Sequence, residues 1–272
     1  MQDLKPHDWL GFLLALADLA EPIATRWFRC DDLDVSLKAD QSPVTVADLE
    51  IERAVRSAAV TAHPDLGLIG EEYGSTAEKQ ANLVIDPIDG TANFARGIPI
   101  FATLLAIEVD AQIVAGVVAA PALGTRWYAS RGQGAWRNGR RIRVSTVADI
   151  AMAQVFHGGM AGAERTGELP GLLPLLRASK RQRGFGDFYQ HVLVAEGAGE
   201  IAIDVGLSPW DIAALVVVTE EAGGRATTLA GDPDIRGRSL LTTNGHLHES
   251  ARSMLLGGPD TCQAREARAS RL

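Results

Sequence analysis

The run Asp86-Pro87-Ile88-Asp89-Gly90-Thr91 places two carboxylates three residues apart. Pro87 fixes one φ angle, and Gly90 permits a sharp turn. In such a turn both carboxylates can converge on one cation, and the carbonyl of Ile88 can turn inward as a further oxygen. Hard oxygen donors without histidine or thiolate suit Mg2+. Taken alone, the run fits a second description equally well, a strand ending in a polar turn with Asp86 as a cap. Two other acidic sites bear on the choice. Gly70-Glu71-Glu72 closes the preceding apolar run, and Asp211 follows Trp210 where a later helix opens. Each has a local explanation, Glu71 as a solvated charge and Asp211 as a first-turn acid favoured by the helix dipole. Together with Asp86 and Asp89 they supply enough acids for two or three cations. Carboxylates clustered in this way repel one another unless cations hold them.

These acids need elements to carry them. Trp9, Leu13, Leu16, Ala20, Ile23 and Trp27 recur at spacings of four and three, which predicts an amphipathic helix, bent or interrupted near Pro22. Thr45 opens a second helix with Ile51, Ala54, Val55, Ala58 and Ala62 on one face, ended by His63-Pro64-Asp65. Leu66 to Ile69 and Leu83 to Ile85 read as buried strands that end in acidic residues. Phe101 to Val109 and Gln112 to Ala119 form a hairpin about Asp110-Ala111. Arg126 to Ser130 and Arg140 to Val144 read as strands, and Asn138-Gly139 as the turn between them. A second half opens near Ser145. It holds helices at Leu172 to Ser179, Phe188 to Gly197 and Trp210 to Ala222, the last closed by Gly223-Gly224, and strands at Ile201 to Ile203 and Leu240 to Thr243. The reading is an α/β or α+β layered fold with an interior cleft. Its halves are 1–145, with most of the acids, and 146–258, with Asp211; residues 259–272 form a polar tail.

Of the 272 residues, 46% are hydrophobic and 22% charged, an ordinary globular mixture that excludes disorder as the main state. A net charge of −8 argues against a nucleic-acid or acidic-membrane binder. It leaves a phosphate ligand open, because bound cations reverse the local field. The two cysteines, Cys30 and Cys262, form no ligand or redox pair in sequence and fit a reducing compartment. The apolar stretch from Trp9 to Ala20 contains Asp18 and is too short to span a bilayer, so the expected location is the cytoplasm. The six histidines are scattered. His246 and His248 stand near each other without supporting ligands, which favours surface or core roles over zinc.

The chain resembles the inositol monophosphatase family of Mg2+-dependent phosphatases. The resemblance lies in Gly70-Glu71-Glu72, the Asp86 to Thr91 run extended through Asn93-Phe94, and Gly132-Gln133-Gly134-Ala135 with Asn138-Gly139. It continues in Trp210-Asp211-Ile212-Ala213 running into Glu221-Ala222-Gly223-Gly224. It implies the family's layered sandwich of alternating helices and sheets, and a phosphomonoesterase that holds two or three Mg2+ ions. Glu71, Asp86, the Ile88 carbonyl, Asp89 and Asp211 correspond to metal ligands. Asp48 corresponds to the acid near a third metal; the same Thr45-x-x-Asp48 spacing is also a helix-capping pattern. Thr91 corresponds to the hydroxyl that, with Glu71, orients and activates the attacking water. The amides of Gly90 and Thr91 would hold phosphate oxygens. The resemblance also implies a homodimer. A phospho-aspartate route does not fit, because it needs acids two apart and these are three apart with a proline between.

Substrate choice falls to the second half. Gly186-Asp187-Phe188, with Leu193-Val194-Ala195-Glu196-Gly197 after it, resembles the family's histidinol-phosphatase branch, as does Phe94-Ala95-Arg96-Gly97-Ile98-Pro99. That implies hydrolysis of L-histidinol phosphate, a step of histidine biosynthesis, with Asp187 and Asp204 near the alcohol part. Asp187 could instead be an N-cap, and Asp204 a strand-end turn residue. An inositol-1-monophosphatase or broad sugar phosphatase is the other enzymatic reading. A regulatory protein that works through partners is the non-enzymatic one, and retention of the expected ligands and of Thr91 counts against it.

Overall fold

The computed structural model describes residues 6–39, 41–77, 79–159 and 169–258. The tail from 259 onward, with Cys262, lies outside them.

Helix α1 (Pro6–Trp27) is continuous through Pro22. A two-stranded ribbon follows, β1 (Val35–Leu37) antiparallel to β2 (Pro43–Thr45), and then α2 (Val46–Ala62). A seven-stranded sheet comes next. In sequence and in space it runs β3 (Gly67–Gly70), β4 (Ala81–Asp89), β5 (Ala102–Val109), β6 (Gln112–Ala120), β7 (Thr125–Ser130), β8 (Gly134–Arg137) and β9 (Arg140–Arg141). Only the β3–β4 pair is parallel. The short α3 (Thr91–Ala95) sits between β4 and β5.

The second sheet contains β10 (Gln154–His157), β11 (Arg181–Gly184), β12 (Ile201–Val205), β13 (Arg225–Thr227) and β14 (Ser239–Thr243), in the order β11-β10-β12-β14-β13. With it come α4 (Leu172–Ala178), α5 (Asp187–Ala195), α6 (Pro209–Glu221) and α7 (His248–Leu255).

Strand alternation sets the layers. Leu83, Ile85, Leu105 and Ile107 point to one face of the large sheet and pack with α1 and α2. Val84, Leu104, Ala106 and Val118 point to the other and pack with α5 and α6. A third core joins α4 and α7 to the far side of the small sheet. Helices and sheets therefore alternate, as a layered α/β sandwich. Helix α6 lies between two sheets, and residues Ile212 to Thr219 are all buried. A helix that is apolar all round belongs in such a place.

Three expectations change. The strand expected over Arg140 to Val144 stops at Arg141, because the chain there leaves the sheet; Val144 N already donates to Ala222 O at the C-cap of α6. The Asn138-Gly139 turn is present, with φ of 46° and 78°, the left-handed pair that tight hairpins require, but it joins β8 to β9 rather than β7 to β9. Strands β1, β2, β8, β10, β11 and β13 have no counterpart in the sequence reading. They are short, and β11 reads Arg-Gln-Arg-Gly with no apolar alternation, so only its neighbours define it.

Candidate active site

Asp86 and Asp89 belong to β4 itself rather than to a turn after it, which corrects the expectation from sequence. In a regular strand residues three apart face opposite sides. Here Asp86 pairs with Leu104 and Asp89 with Ala102, so one extra residue is accommodated in β4 as a bulge. The bulge turns Asp89 back to the side of Asp86. The chain then reverses at Gly90, whose φ of 83° is left-handed. A Cβ there would stand 3.0 Å from Ile100 O and 3.3 Å from the Asp187 carboxylate, a second reason for glycine.

Asp211 arrives from α6. It is the third residue of a capping box, and its Oδ2 accepts from Ser208 N at 2.7 Å. The first-turn description of Asp211 therefore holds, and the cap fixes one oxygen while the other stays open toward Asp86 and Asp89. Carboxylate oxygens of Asp86, Asp89 and Asp211 all lie within 4.8 Å of one another. Asp86 is 1% exposed, and its Oδ1 is buried without a hydrogen-bond partner. Asp89 accepts from Phe188 N at 2.5 Å, which ties the first residues of α5 to the cluster. Burial, then the surrounding carboxylates, push Asp86 well above the usual range; burial and the neighbouring acids Asp187 and Asp211 do the same to Asp89. Burial raises Asp211 to about 6. Three converging acids, all oxygen donors, with an orphaned buried oxygen among them, fit a hard divalent cation.

Asp48 caps α2 from the first turn. Its Oδ2 accepts from Thr45 N at 2.8 Å and Thr45 Oγ1 at 2.5 Å, and Oδ1 lies 3.4 Å from Thr91 Oγ1. Thr91 Oγ1 also lies 2.9 Å from Ile88 O. Burial raises Asp48 to about 6, opposed by its bonds to Thr45. Glu71 is half-buried one residue beyond β3. Its Oε1 accepts from Lys38 Nζ at 2.7 Å, and the same ammonium reaches Glu72 Oε1 at 2.6 Å. Burial alone would lower the Lys38 ammonium; the two carboxylates outweigh that and hold it above its ordinary value.

Asp187 is not the N-cap of α5; Gly186 is. Asp187 takes a φ of 52°, a left-handed angle uncommon outside glycine, asparagine and aspartate, and its carboxylate accepts from Asn93 Nδ2 at 3.0 Å. Asp204 lies within β12, opposite Leu240, and accepts from Gln190 Nε2 at 3.0 Å. Burial raises Asp187 to about 6; burial and then Asp187 raise Asp204 to about 7. The two acids thus share one environment. Among the described residues neither pairs with lysine or arginine.

Sequence reasoning missed Lys38, Glu52 and Gln190, and gave Asn93 no role. Lys38 stood in a polar stretch with no pattern around it. Glu52 had a legible sign, since it lies one helical turn after Asp48 on a helix otherwise read only for its apolar face. Of the histidines, His191 and His248 are core residues: His191 bonds Thr242, and His248 bonds Thr227 and Thr243.

A model of the inositol monophosphatase family matches residues 6–259. The chain is 41% identical over 258 residues to a histidinol-phosphatase of Mycobacterium tuberculosis, which covers 93% of this chain and 99% of that relative. A histidinol-phosphatase of Streptomyces coelicolor is 38% identical over 251 residues, covering 89% and 94%. Among solved structures, the extragenic suppressor protein suhB from Bartonella henselae matches with a TM-score of 0.84 at 29% identity, covering 92% of this chain and 98% of that one.

Proposed function

The chain belongs to the inositol monophosphatase family, and we propose that within it the protein is a Mg2+-dependent histidinol-phosphatase, converting L-histidinol phosphate and water to L-histidinol and phosphate. It is a phosphoric monoester hydrolase. The observation that carries the choice of alcohol is the pair Asp187 and Asp204, two half-buried carboxylates held by neutral amides. A neutral amide positions a carboxylate without cancelling its charge. The charge is left for a ligand, and histidinol phosphate brings an ammonium group that inositol phosphate lacks. The names of the relatives support the same substrate.

Glu71, Asp86, Asp89 and Asp211, with the Ile88 carbonyl, would hold two or three Mg2+ ions. Bound there, Mg2+ supplies Lewis-acid assistance to water and neutralises charge on the phosphoryl group. The chain's own groups do the rest. Thr91 gives its hydroxyl hydrogen to Ile88 O or Asp48 Oδ1 and accepts from the attacking water, aided by Glu71. Asp48, whose Oδ1 faces the Thr91 hydroxyl, can take up the proton there. The amides of Gly90 and Thr91 hold phosphate oxygens. Half 1–145 carries most of this chemistry, while half 146–258 contributes Asp211 and the contacts to the alcohol. A cytoplasmic homodimer acting in histidine biosynthesis completes the reading; among the described residues no helix is long and apolar enough to cross a membrane.

Phosphate release from L-histidinol phosphate, inositol-1-phosphate and glycerol phosphate, with Mg2+ and with chelator, tests the proposal. The expected result is Mg2+-dependent turnover with the highest kcat/KM on histidinol phosphate. Full activity in excess chelator would remove the metal mechanism. A preference for inositol-1-phosphate would change the substrate and leave the mechanism standing.

A further inference from the structure

We infer that Glu52 is a positioning residue for the metal site: its buried carboxylate clamps the turn that carries Glu71. The inference rests on the reading of Glu71 as a metal ligand.

Glu52 is fully buried on α2, one turn after Asp48. Its Oε2 accepts from Glu72 N at 2.8 Å. Its Oε1 accepts from Tyr73 N at 3.2 Å and from Arg56 Nε at 2.7 Å. Arg56 in turn donates to Gly74 O. Helix α2 therefore grips the turn from its second residue to its last, and the paired guanidinium keeps the buried carboxylate from being a lone charge. Gly70 makes room for the grip. A Cβ there would lie 2.1 Å from Glu52 Oε1, so the carboxylate occupies the place of the missing side chain.

The sheet does little to hold Glu71. Strand β3 has four residues and lies at the sheet edge. Its ladder ends with Glu71 N donating to Ile85 O at a long 3.3 Å. Beyond that point the turn backbone is held by Gly70 N to Gly74 O at 3.2 Å and by Glu52. Glu71 is also a like charge to Asp48, Asp86 and Asp211, so these neighbours do not favour its place without cations. Lys38 Nζ meets the Glu71 carboxylate itself, but the backbone that carries it needs a holder that the sheet end does not provide. Helix α2 supplies it, and the same helix sets Asp48, so one rigid element places both acids. Loss of a residue that orients a ligand typically costs 10- to 100-fold in metal affinity.

The test is Mg2+ binding by calorimetry to the full-length protein, with thermal melts in chelator alongside. Glu52→Gln keeps the shape but turns one acceptor into a donor facing another donor. Glu52→Asp keeps the charge beside Arg56 but draws the acceptor back by one methylene. Both should weaken Mg2+ binding by about tenfold or more, with kcat recovered as Mg2+ is raised to saturation. Ile51→Val, a buried change on the same helix that leaves the turn untouched, is the stability control; it should lower the melting temperature and leave the Mg2+ isotherm as in wild type. Wild-type isotherms for both Glu52 variants would overturn the inference, as would a loss in Ile51→Val equal to theirs. Glu71→Gln separates the premise from the inference. If it binds Mg2+ normally, Glu71 is not a ligand and the premise fails. If it binds weakly while the Glu52 variants bind normally, the clamp alone is wrong.

Discussion

The site has two acidic regions, and they are built in opposite ways. At the end of the large sheet, Asp86, Asp89 and Asp211 converge on one another, and a buried oxygen of Asp86 has no partner. On the side of the small sheet, Asp187 and Asp204 are each met by a side-chain amide. The first region is incomplete as protein alone and asks for cations. The second is already hydrogen-bonded and keeps its charge in reserve. On the proposed reading, the contrast separates what every phosphate ester needs, charge compensation at phosphorus, from what distinguishes one alcohol from another.

The sharpest way to break this division is to remove a ligand. Asp86→Asn should lower kcat/KM on the order of 10³-fold for every ester tested, because it takes away part of a Lewis-acid contribution worth several kcal/mol. A loss confined to one ester would show that Asp86 belongs to recognition. Thr91→Ala should come next, at roughly 10²-fold in kcat, with Mg2+ affinity preserved; weakened Mg2+ binding in that variant would reassign Thr91 to the metal region.

Asp187→Asn probes the other side. It removes a charge-assisted hydrogen bond of about 1.5–3 kcal/mol, or roughly 10- to 100-fold in kcat/KM on histidinol phosphate. Glycerol phosphate hydrolysis should change little. Equal losses on both esters would make Asp187 a structural residue and erase the contrast.

The smallest effect concerns stability. Asp48 and Asp211 are raised to about 6, and Glu72 and Asp204 to about 7, in each case first by burial. Between about pH 4 and pH 7 these acids bind more protons in the metal-free folded chain than in the unfolded chain, whose carboxyls have ordinary values near 4; His191 and His248, which burial lowers to about 3 and 4, offset only part of this. Stability must then fall as pH rises through that window. Melting temperatures in chelator should decline from pH 4.5 to pH 7.5 (about the span of the shifts), and saturating Mg2+ should flatten the decline. A metal-free melting temperature that rises over the same range would contradict the burial of these acids.

Much of the metal region is legible in the chain. Asp86, Asp89 and Gly90 lie within five residues of one another, and acid type plus spacing already names a hard cation. The Thr45-Asp48 and Ser208-Asp211 capping boxes are local as well, since a cap is decided within one helical turn. The bulge was not legible. A proline between two acids suits a turn as well as a strand, and only pairing with Leu104 and Ala102 shows where the extra residue sits. Lys38 reaches Glu71 and Glu72 across more than thirty residues of chain, and no local pattern announces such a contact.

The sequence by itself determined the kind of chemistry, because ligand hardness is a property of residue type. It also determined the main helices and the central strands, whose apolar periods are unambiguous. Only the tertiary structure decided which acids are compensated. Asn93 meets Asp187 across 94 positions, and Phe188 N meets Asp89 across 99. Such pairings arise when two sheets close on a shared helical layer, and their strength depends on burial that no single segment carries. The alternation of apolar residues along one strand says which face is buried; it does not say which polar group waits on the other side.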